Sequence, residues 1–133
     1  MINMEWVQHR SGVHEMFRSS VDLKDTEGKP IVTSYAVHRP DGNWSLMLVN
    51  RDEKAAHLVR VKFGDSAGKQ GGSFSGPVSI VSFGSEQYEW KSDGLNSHAD
   101  PDHPPAGGAV EADASTVFPL PKASITVLRG RVK

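Results

Sequence analysis

The last strand-like stretch of the chain, residues 118–130, reads FPLPKASITVLRG and decides which fold is predicted. From residue 123 the pattern alternates: Ile125 and Val127 share one face, and Thr126 and Leu128 share the other, as in a β-strand. Pro119 and Pro121 cannot donate a backbone hydrogen bond, so we expect them at the start of a strand or at a sheet edge. The stretch therefore predicts a proline-led strand that closes a sheet.

The rest of the chain shows similar short runs between turn residues, and no stretch of helical length keeps a 3.6-residue apolar period. The clearest pair, residues 31–39 and 44–50, is joined by PDGN, whose Asp41-Gly42 step is a strong hairpin signal. The second run contains LMLV at residues 46–49, which is apolar on both faces. This indicates either a central strand covered on both sides or a sheet with one face packed against something else. Further strands are predicted at residues 13–19, 57–63, 77–84 and 87–90. We predict an all-β fold, an antiparallel β-sandwich of about seven or eight strands.

The length of 133 residues suits a single domain with one core, so we assign residues 1–133 to one β-sandwich domain. Residues 1–12 are expected to form a flexible or linking segment. Residues 64–76 are rich in Gly and Ser and are predicted to be a flexible loop. Residues 91–115 are predicted to be a long irregular loop, which is uncommon unless the loop is functional or mobile.

The charge balance argues against a nucleic-acid partner, because 15 Lys and Arg nearly cancel 16 Asp and Glu and no basic block is present. No apolar run approaches the ~20 residues of a membrane span, so no membrane partner is expected. The first residues lack the apolar core of a signal peptide. We therefore expect either a cytoplasmic protein or a piece of a longer one, secreted or periplasmic if it belongs to a larger hydrolase. The absence of cysteine leaves the compartment open.

No catalytic residue is predicted, because the sequence has no nucleophile elbow, no phosphate-binding loop and no zinc-binding spacing. No cofactor is expected. The densest set of metal-ligating residue types is SHADPDHPP, residues 97–105, with His98, Asp100, Asp102 and His103 as weak candidates. A solvated, proline-rich loop is the favoured interpretation, because the spacing matches no known metal motif and Asp-Pro is common in turns.

Aromatic side chains give the remaining functional signal. Tyr88 and Trp90 lie two residues apart in a predicted strand beside the long loop. Such a pair could form a flat surface on which a sugar ring stacks, so both are weak candidates for ligand binding. Packing in the core is the commoner fate of such residues and is the favoured interpretation.

Several segments together resemble the C-terminal β-sandwich of glycoside hydrolases of the β-xylosidase and α-L-arabinofuranosidase type. The first is TSYAVHRPDGNWSLMLVNRDEKAAHLVRVKF, residues 33–63, with the family's strand ending L-x-V-N-[RK] followed by a charged turn. The second is the terminal stretch, which matches a closing L-P-x-x-S-[IV]-T-V-L pattern. FGSEQYEW and SHADPDHPPA, residues 83–90 and 97–106, resemble the middle of the same domain. The resemblance spans roughly residues 13–129.

The resemblance implies a non-catalytic accessory domain, because the catalytic glutamates of these enzymes lie on a (β/α)8 barrel that this chain does not contain. The implied partner is that barrel, as a domain or a separate protein. The first alternative is a stand-alone carbohydrate-binding module that binds a polysaccharide. The second is a small metal-dependent enzyme that uses the loop at residues 98–103. An accessory domain without its barrel would expose the surface that normally meets the barrel. Two copies could then pair through this surface, so a homodimer is a further expectation.

Overall fold

The computed structural model of the protein describes residues 12–64 and 70–133, and within these ranges the chain is almost entirely β-structure. The expected flexible segment at the N-terminus therefore lies outside the described residues, apart from Gly12. No helix in the described ranges has the length and apolar character that a membrane crossing requires.

Twelve strands follow one another through the described part of the chain, together with one 3-10 helix, Gly94–Asn96. The strands are β1 (Glu15–Phe17), β2 (Val32–His38), β3 (Trp44–Asn50), β4 (His57–Arg60), β5 (Phe63–Gly64), β6 (Gln70–Gly72), β7 (Phe74–Gly84), β8 (Tyr88–Lys91), β9 (His98–Asp102), β10 (Ala106–Ala112), β11 (Val117–Leu120) and β12 (Ser124–Val132).

The main sheet has six antiparallel strands in the order β1-β2-β3-β12-β7-β10. Three two-stranded sheets accompany it: β11 with β4, β5 with β6, and β8 with β9. The closing strand predicted from the sequence is β12, and it lies in the middle of the main sheet. Its residues pair with β3 on one side and with β7 on the other, so Leu128 is opposite both Leu46 and Ile80.

One face of the main sheet carries the core, and we call it the core face. Its buried side chains pack against residues from the smaller sheets, including Phe118 and Leu120 of β11. The buried members of this cluster are Val32, Ala36, Leu46, Leu48, Phe74, Val78, Ala112, Phe118, Leu120 and Leu128. The opposite face, which we call the second face, carries Met47, Val49 and their neighbours. The LMLV stretch thus places Leu46 and Leu48 in the core, and Met47 and Val49, which are half-buried, on the second face.

Aromatic rings connect the two layers of the core. The centroid of Trp44 lies 5.3 Å from that of Phe63, which lies 5.1 Å from Phe74, and Phe74 lies 6.0 Å from Phe118. The last two contacts are edge-on, the arrangement in which the positive edge of one ring meets the negative face of the next. β3, β5, β7 and β11 are joined through these four rings.

The predicted fold class is confirmed. The prediction of a long irregular loop at residues 91–115 was wrong, and so was that of a flexible loop at residues 64–76 over its described part; residues 65–69 lie outside the described residues. β6 and the start of β7 occupy residues 70–76, and β9 and β10 occupy most of the longer stretch. β10 pairs with β7 over seven residues, yet all of it except Ala112 is exposed. An exposed edge strand needs no apolar alternation because its backbone bonds hold it in place, so its sequence gives no strand signal. These additional strands explain why seven or eight were too few.

A buried amide joins the end of β3 to the approach of β12. The Asn50 side chain is almost fully buried, and its Nδ2 donates to the carbonyls of Leu120, Pro121 and Ala55 at 3.3, 2.9 and 3.2 Å. Its Oδ1 accepts a bond from the backbone N–H of Asp52 at 3.0 Å. The asparagine of the L-x-V-N motif therefore fixes the turn after β3 against the proline-led segment before β12.

We expect Asn50→Ala to lower the free energy of unfolding by about 2–3 kcal/mol, because buried carbonyls would lose their donor. Urea denaturation monitored by circular dichroism measures this change. Asn96→Ala, at an exposed position, is the matched control and should leave stability within about 0.5 kcal/mol of the wild type. If Asn50→Ala also lowered the free energy of unfolding by only about 0.5 kcal/mol, the assigned role of Asn50 would be contradicted.

Asp52 organises the turn between β3 and β4. Its Oδ1 accepts from the backbone N–H groups of Lys54 and Ala55 at 2.8 and 3.0 Å, and its Oδ2 lies 2.9 Å from His57 Nε2. The bond from the Lys54 backbone, followed by those from the His57 side chain and the Ala55 backbone, lowers the pKa of Asp52 below its ordinary value of 3.8. The charged carboxylate is thus the form that the fold prefers.

A lowered pKa in the folded state means that Asp52 stabilises the protein above its unfolded-state pKa and stops doing so as the pH falls through the folded-state value. We expect Asp52→Asn to be less stable than the wild type at neutral pH, because the charge-assisted bonds are lost. The gap should close as the pH falls below about 4. Denaturation of both proteins across this range measures it, and a gap independent of pH would contradict the assignment.

Candidate functional site

The β8–β9 ribbon is a separate two-stranded unit with the 3-10 helix at its tip, and we call it the arm. The backbone N–H of His103 donates to the Gln87 carbonyl at 2.7 Å at its base. At the tip, Leu95 is fully exposed. The arm therefore presents an apolar side chain to solvent at its far end.

Tyr88 and Trp90, the predicted ligand-binding pair, both lie on β8 of this arm. Tyr88 is 40% exposed and Trp90 is 57% exposed, so the favoured interpretation that they pack in the core was wrong. The reason is that β8 pairs with β9 alone, and no second layer of described residues covers it. The Tyr88 ring lies 6.3 Å from that of Phe83 at the end of β7, while Trp90 projects further along the arm. Sugar binding by this pair stays a prediction.

The weak metal candidates lie on the partner strand and do not converge. His98, Asp100 and Asp102 occupy alternate, exposed positions of β9. His98 Nδ1 lies 2.7 Å from its neighbouring Asn96 carbonyl, and His103 follows the strand at the base of the arm. Across the described ranges, no three His, Asp or Glu residues are arranged to hold a metal ion.

The second face of the main sheet carries a continuous apolar area at the end nearest the arm. In one cross-strand row Val49, Ile125 and Phe83 lie side by side on β3, β12 and β7. In the next row Tyr35 is opposite Met47. Tyr35 is 48% exposed and the other four are half-buried. We call these five residues the apolar patch. Phe83 connects it to Tyr88, so the patch continues toward the arm.

The patch follows from alternating apolar residues in strands whose opposite side is already buried. LMLV signalled it from the sequence for β3, but the contribution of Phe83 was missed. The reason is that the sequence of one strand does not predict which residues of another strand lie opposite it, here Phe83 opposite Ile125. Once the registers are known, apolar residues of odd number on the four neighbouring strands β2, β3, β12 and β7 lie together.

Three carboxyl groups have lowered pKa values caused by hydrogen bonds. The Lys91 side chain, 2.8 Å away, lowers the pKa of Glu89 on the arm, and the Ser115 side chain and backbone lower that of Asp113. Asp52 behaves in the same way. A general acid that works near neutral pH needs a raised pKa, so these three groups suit turns and ion pairs rather than proton donation.

Comparison with known proteins gives a likeness of fold. No protein-family model matches the sequence, and no curated protein matches it. Among solved structures, the α-L-arabinofuranosidase from Thermotoga maritima, in an arabinose complex, matches with a TM-score of 0.51 and 11% identity over 78% of this chain and 20% of its own. The GH51 α-L-arabinofuranosidase from Thermotoga petrophila RKU-1 matches with a TM-score of 0.50 and 11% identity over 77% and 19%.

A further arabinofuranosidase matches with a TM-score of 0.51 and 13% identity, over 81% of this chain and 20% of its own. At such low identity the likeness concerns the fold alone. This chain spans about a fifth of the length of the glycosidases it resembles. Its β-structure is therefore similar to one part of arabinofuranosidases, which agrees with the resemblance inferred from the sequence.

Proposed function

We propose that the chain is a non-catalytic accessory domain of the kind found at the C-terminus of glycoside hydrolases, and that it packs its apolar patch against a catalytic barrel. The observation that carries the proposal is a fold similar to about a fifth of arabinofuranosidase chains, with an apolar area on the sheet face opposite the core. The catalytic residues of the assembly would belong to the barrel.

The patch has the composition expected of a surface that is covered by a partner. Neighbouring apolar residues in cross-strand rows can be covered together by one partner, whereas scattered surface residues cannot. Aromatic residues and Met are enriched at protein interfaces, and Tyr35, Phe83 and Met47 supply both. In the isolated chain a second copy could cover the same patch, which would give a homodimer.

The proposal predicts that a tagged chain co-purifies arabinofuranosidase or xylosidase activity from cells of its source, measured with aryl glycosides. The purified chain alone should show no turnover above buffer. Tyr35→Glu places a charge in the patch at a position that is already half exposed, so it should abolish co-purification without unfolding the domain.

Val117→Glu is the matched control, because Val117 is 46% exposed on β11 in the other layer. It should retain the glycosidase activity. Turnover by the purified chain that disappears on mutation of one of its own acids would contradict the proposal. So would a wild type that sediments as a dimer, binds no glycosidase and becomes monomeric on Tyr35→Glu, since the patch would then be an interface between copies.

The arm supports a second candidate function, binding of a polysaccharide chain. Trp90 is more than half exposed, and an exposed indole face is suited to stacking on the C–H face of a sugar ring. Its strand neighbours Glu89 and Lys91 form an ion pair with each other at 2.8 Å, on the alternate positions of β8.

Under this second candidate, Trp90→Ala should weaken retention on arabinan or xylan in affinity electrophoresis by about tenfold or more, because one stacking contact is lost. Leu95→Ala, at the tip of the same arm, is the control for a general loss of exposed apolar surface and should bind as the wild type does. Equal retention of the Trp90 variant and the wild type would reject sugar binding at the arm.

A further inference from the structure

β10 forms one outer edge of the main sheet, and it is a regular strand of seven residues, Ala106–Ala112. It pairs with β7 in one continuous register, and no other strand in the described ranges pairs with its outer side. All of its residues except Ala112 are exposed. A Cβ added to Gly107 or Gly108 would have no atom within 4 Å beyond its chain neighbours. The outer side of β10 is therefore open to a further strand.

The register shows which backbone groups of β10 point outward. In an antiparallel ladder, opposed residues alternate between pairs that exchange two hydrogen bonds and pairs that exchange none. Glu111 is opposite Pro77, which has no N–H, so this pair is of the second kind. The alternation agrees with Ser85, just beyond the end of β7, whose N–H donates away from β10 to the Ala123 carbonyl at 3.1 Å. Three residues of β10 thus direct their N–H and C=O groups outward: Gly107, Ala109 and Glu111.

The composition of β10 leaves this edge without the usual obstacles to pairing. Exposed strand edges are normally protected by proline, by lysine or by a short length. In the described ranges, β9 and β11 contain Pro101 and Pro119, and β8 contains Lys91. β1, at the other edge of the main sheet, has only three residues. β10 has none of these features, and its one charged side chain is that of Glu111.

The residues of β10 complement a second copy of the same strand in antiparallel alignment. With Ala109 opposite Ala109 of the second copy, all three outward-pointing residues form hydrogen-bonding pairs, two bonds to each pair. On one face Glu111 then lies opposite Gly107. On the other face Val110 lies opposite Gly108, so each larger side chain meets a glycine. The two Glu111 residues are separated by about 13 Å along the strands, which exceeds the ~10 Å screening length at moderate salt.

Neighbouring registers lose hydrogen bonds. A shift of two residues in one direction places Glu111 opposite Pro105, which has no N–H to donate. The opposite shift places Gly107 opposite Asp113, whose N–H already donates to Thr116 Oγ1 at 2.9 Å. The alignment centred on Ala109 is therefore the one that β10 favours.

We propose that two copies of the chain pair through β10, so that their six-stranded sheets join into one continuous sheet across a two-fold axis. The assembly stops at two copies because each contributes the same strand. A single strand pair is small beside the ~1,200–2,000 Å² of a standard interface, so we expect a dissociation constant of about 10–500 µM. The apolar patch is not part of this contact, so Tyr35→Glu should leave the dimer intact.

Sedimentation velocity of the purified chain between about 5 µM and 1 mM should show a monomer–dimer equilibrium without larger species. Amide hydrogen exchange gives a readout for each residue. Raising the protein concentration should slow exchange at Gly107, Ala109 and Glu111. Gly108 and Val110 bond to β7 in the monomer as well, so their exchange should not depend on concentration.

Two lysine substitutions on the same face of β10 test the register. Ala109→Lys places two ammonium groups opposite each other and should raise the dissociation constant about fivefold. Gly107→Lys places each ammonium group opposite Glu111 of the second copy and should lower the dissociation constant about threefold. Gly107 does not have a positive φ, so it accepts a side chain. Ala109→Glu alone should also weaken the dimer, and mixing it with the Ala109→Lys variant should restore dimers.

The proposal is overturned if the chain stays monomeric at all these concentrations, if larger polymers form, or if both lysine variants change the dissociation constant in the same direction. It is also overturned if Tyr35→Glu dissociates the dimer, because the apolar patch would then be the interface. Slowed exchange at the outward amides of a chain that stays monomeric, caused by an added extended peptide, would show that a foreign strand is the occupant. Co-purification of a glycosidase enters none of these results, so the two proposals fail separately.

Discussion

The structure depends on the pairing of β12 with strands on both of its sides. β1, β2 and β3 form one half of the main sheet and β7 and β10 the other, and within the described residues these halves are joined by the ladders of β12. β12 therefore joins the two halves of the main sheet. Its position is set by Asn50, whose amide holds the proline-led segment, and by a buried bond of 2.9 Å between Thr126 and Ser82. Gly84 permits the close approach, because a Cβ there would lie 2.5 Å from the Ala123 carbonyl oxygen.

Placing β12 in the centre gives the sheet two different faces. The core face is covered by the smaller sheets except at the β1-β2-β3 end, where a groove opens between residues 16–23 and residues 58–64. The second face carries apolar rows across β3, β12 and β7, and these rows lead toward the arm. A domain with its own core and a further apolar face is suited to stabilising a neighbouring domain. The fold is similar to about a fifth of arabinofuranosidase chains.

The sequence predicted the elements whose signals are local. The Asp41-Gly42 turn indicated the β2–β3 hairpin, and Gly42 has a positive φ of 82° there. Alternation predicted β4 correctly, with Val59 half-buried and Leu58 exposed. β10 escaped prediction because an exposed edge strand rich in Ala and Gly is held by its backbone. β9 was not predicted because Pro101 suggested a turn. A proline, which has no backbone N–H to donate, is tolerated there because β9 pairs with β8 on one side only within the described residues.

The candidate sites were harder to predict because they depend on which strands become neighbours. Tyr88 and Trp90 were selected from their spacing, but their exposure follows from the separation of the arm from the main sheet. The free edge of β10 follows from its position at the end of the main sheet, which its own residues do not specify. Sequence periodicity gives the side of a strand on which a residue lies, and it does not give what covers that side.

Immunoblotting of the source cells and their medium, with an antibody raised against this chain, tests the accessory-domain account most directly. The account predicts a polypeptide much larger than 133 residues whose peptides include a glycosidase catalytic domain, or a chain of 133 residues that migrates in a native complex with a glycosidase. A free chain of 133 residues that migrates alone under native conditions would contradict it.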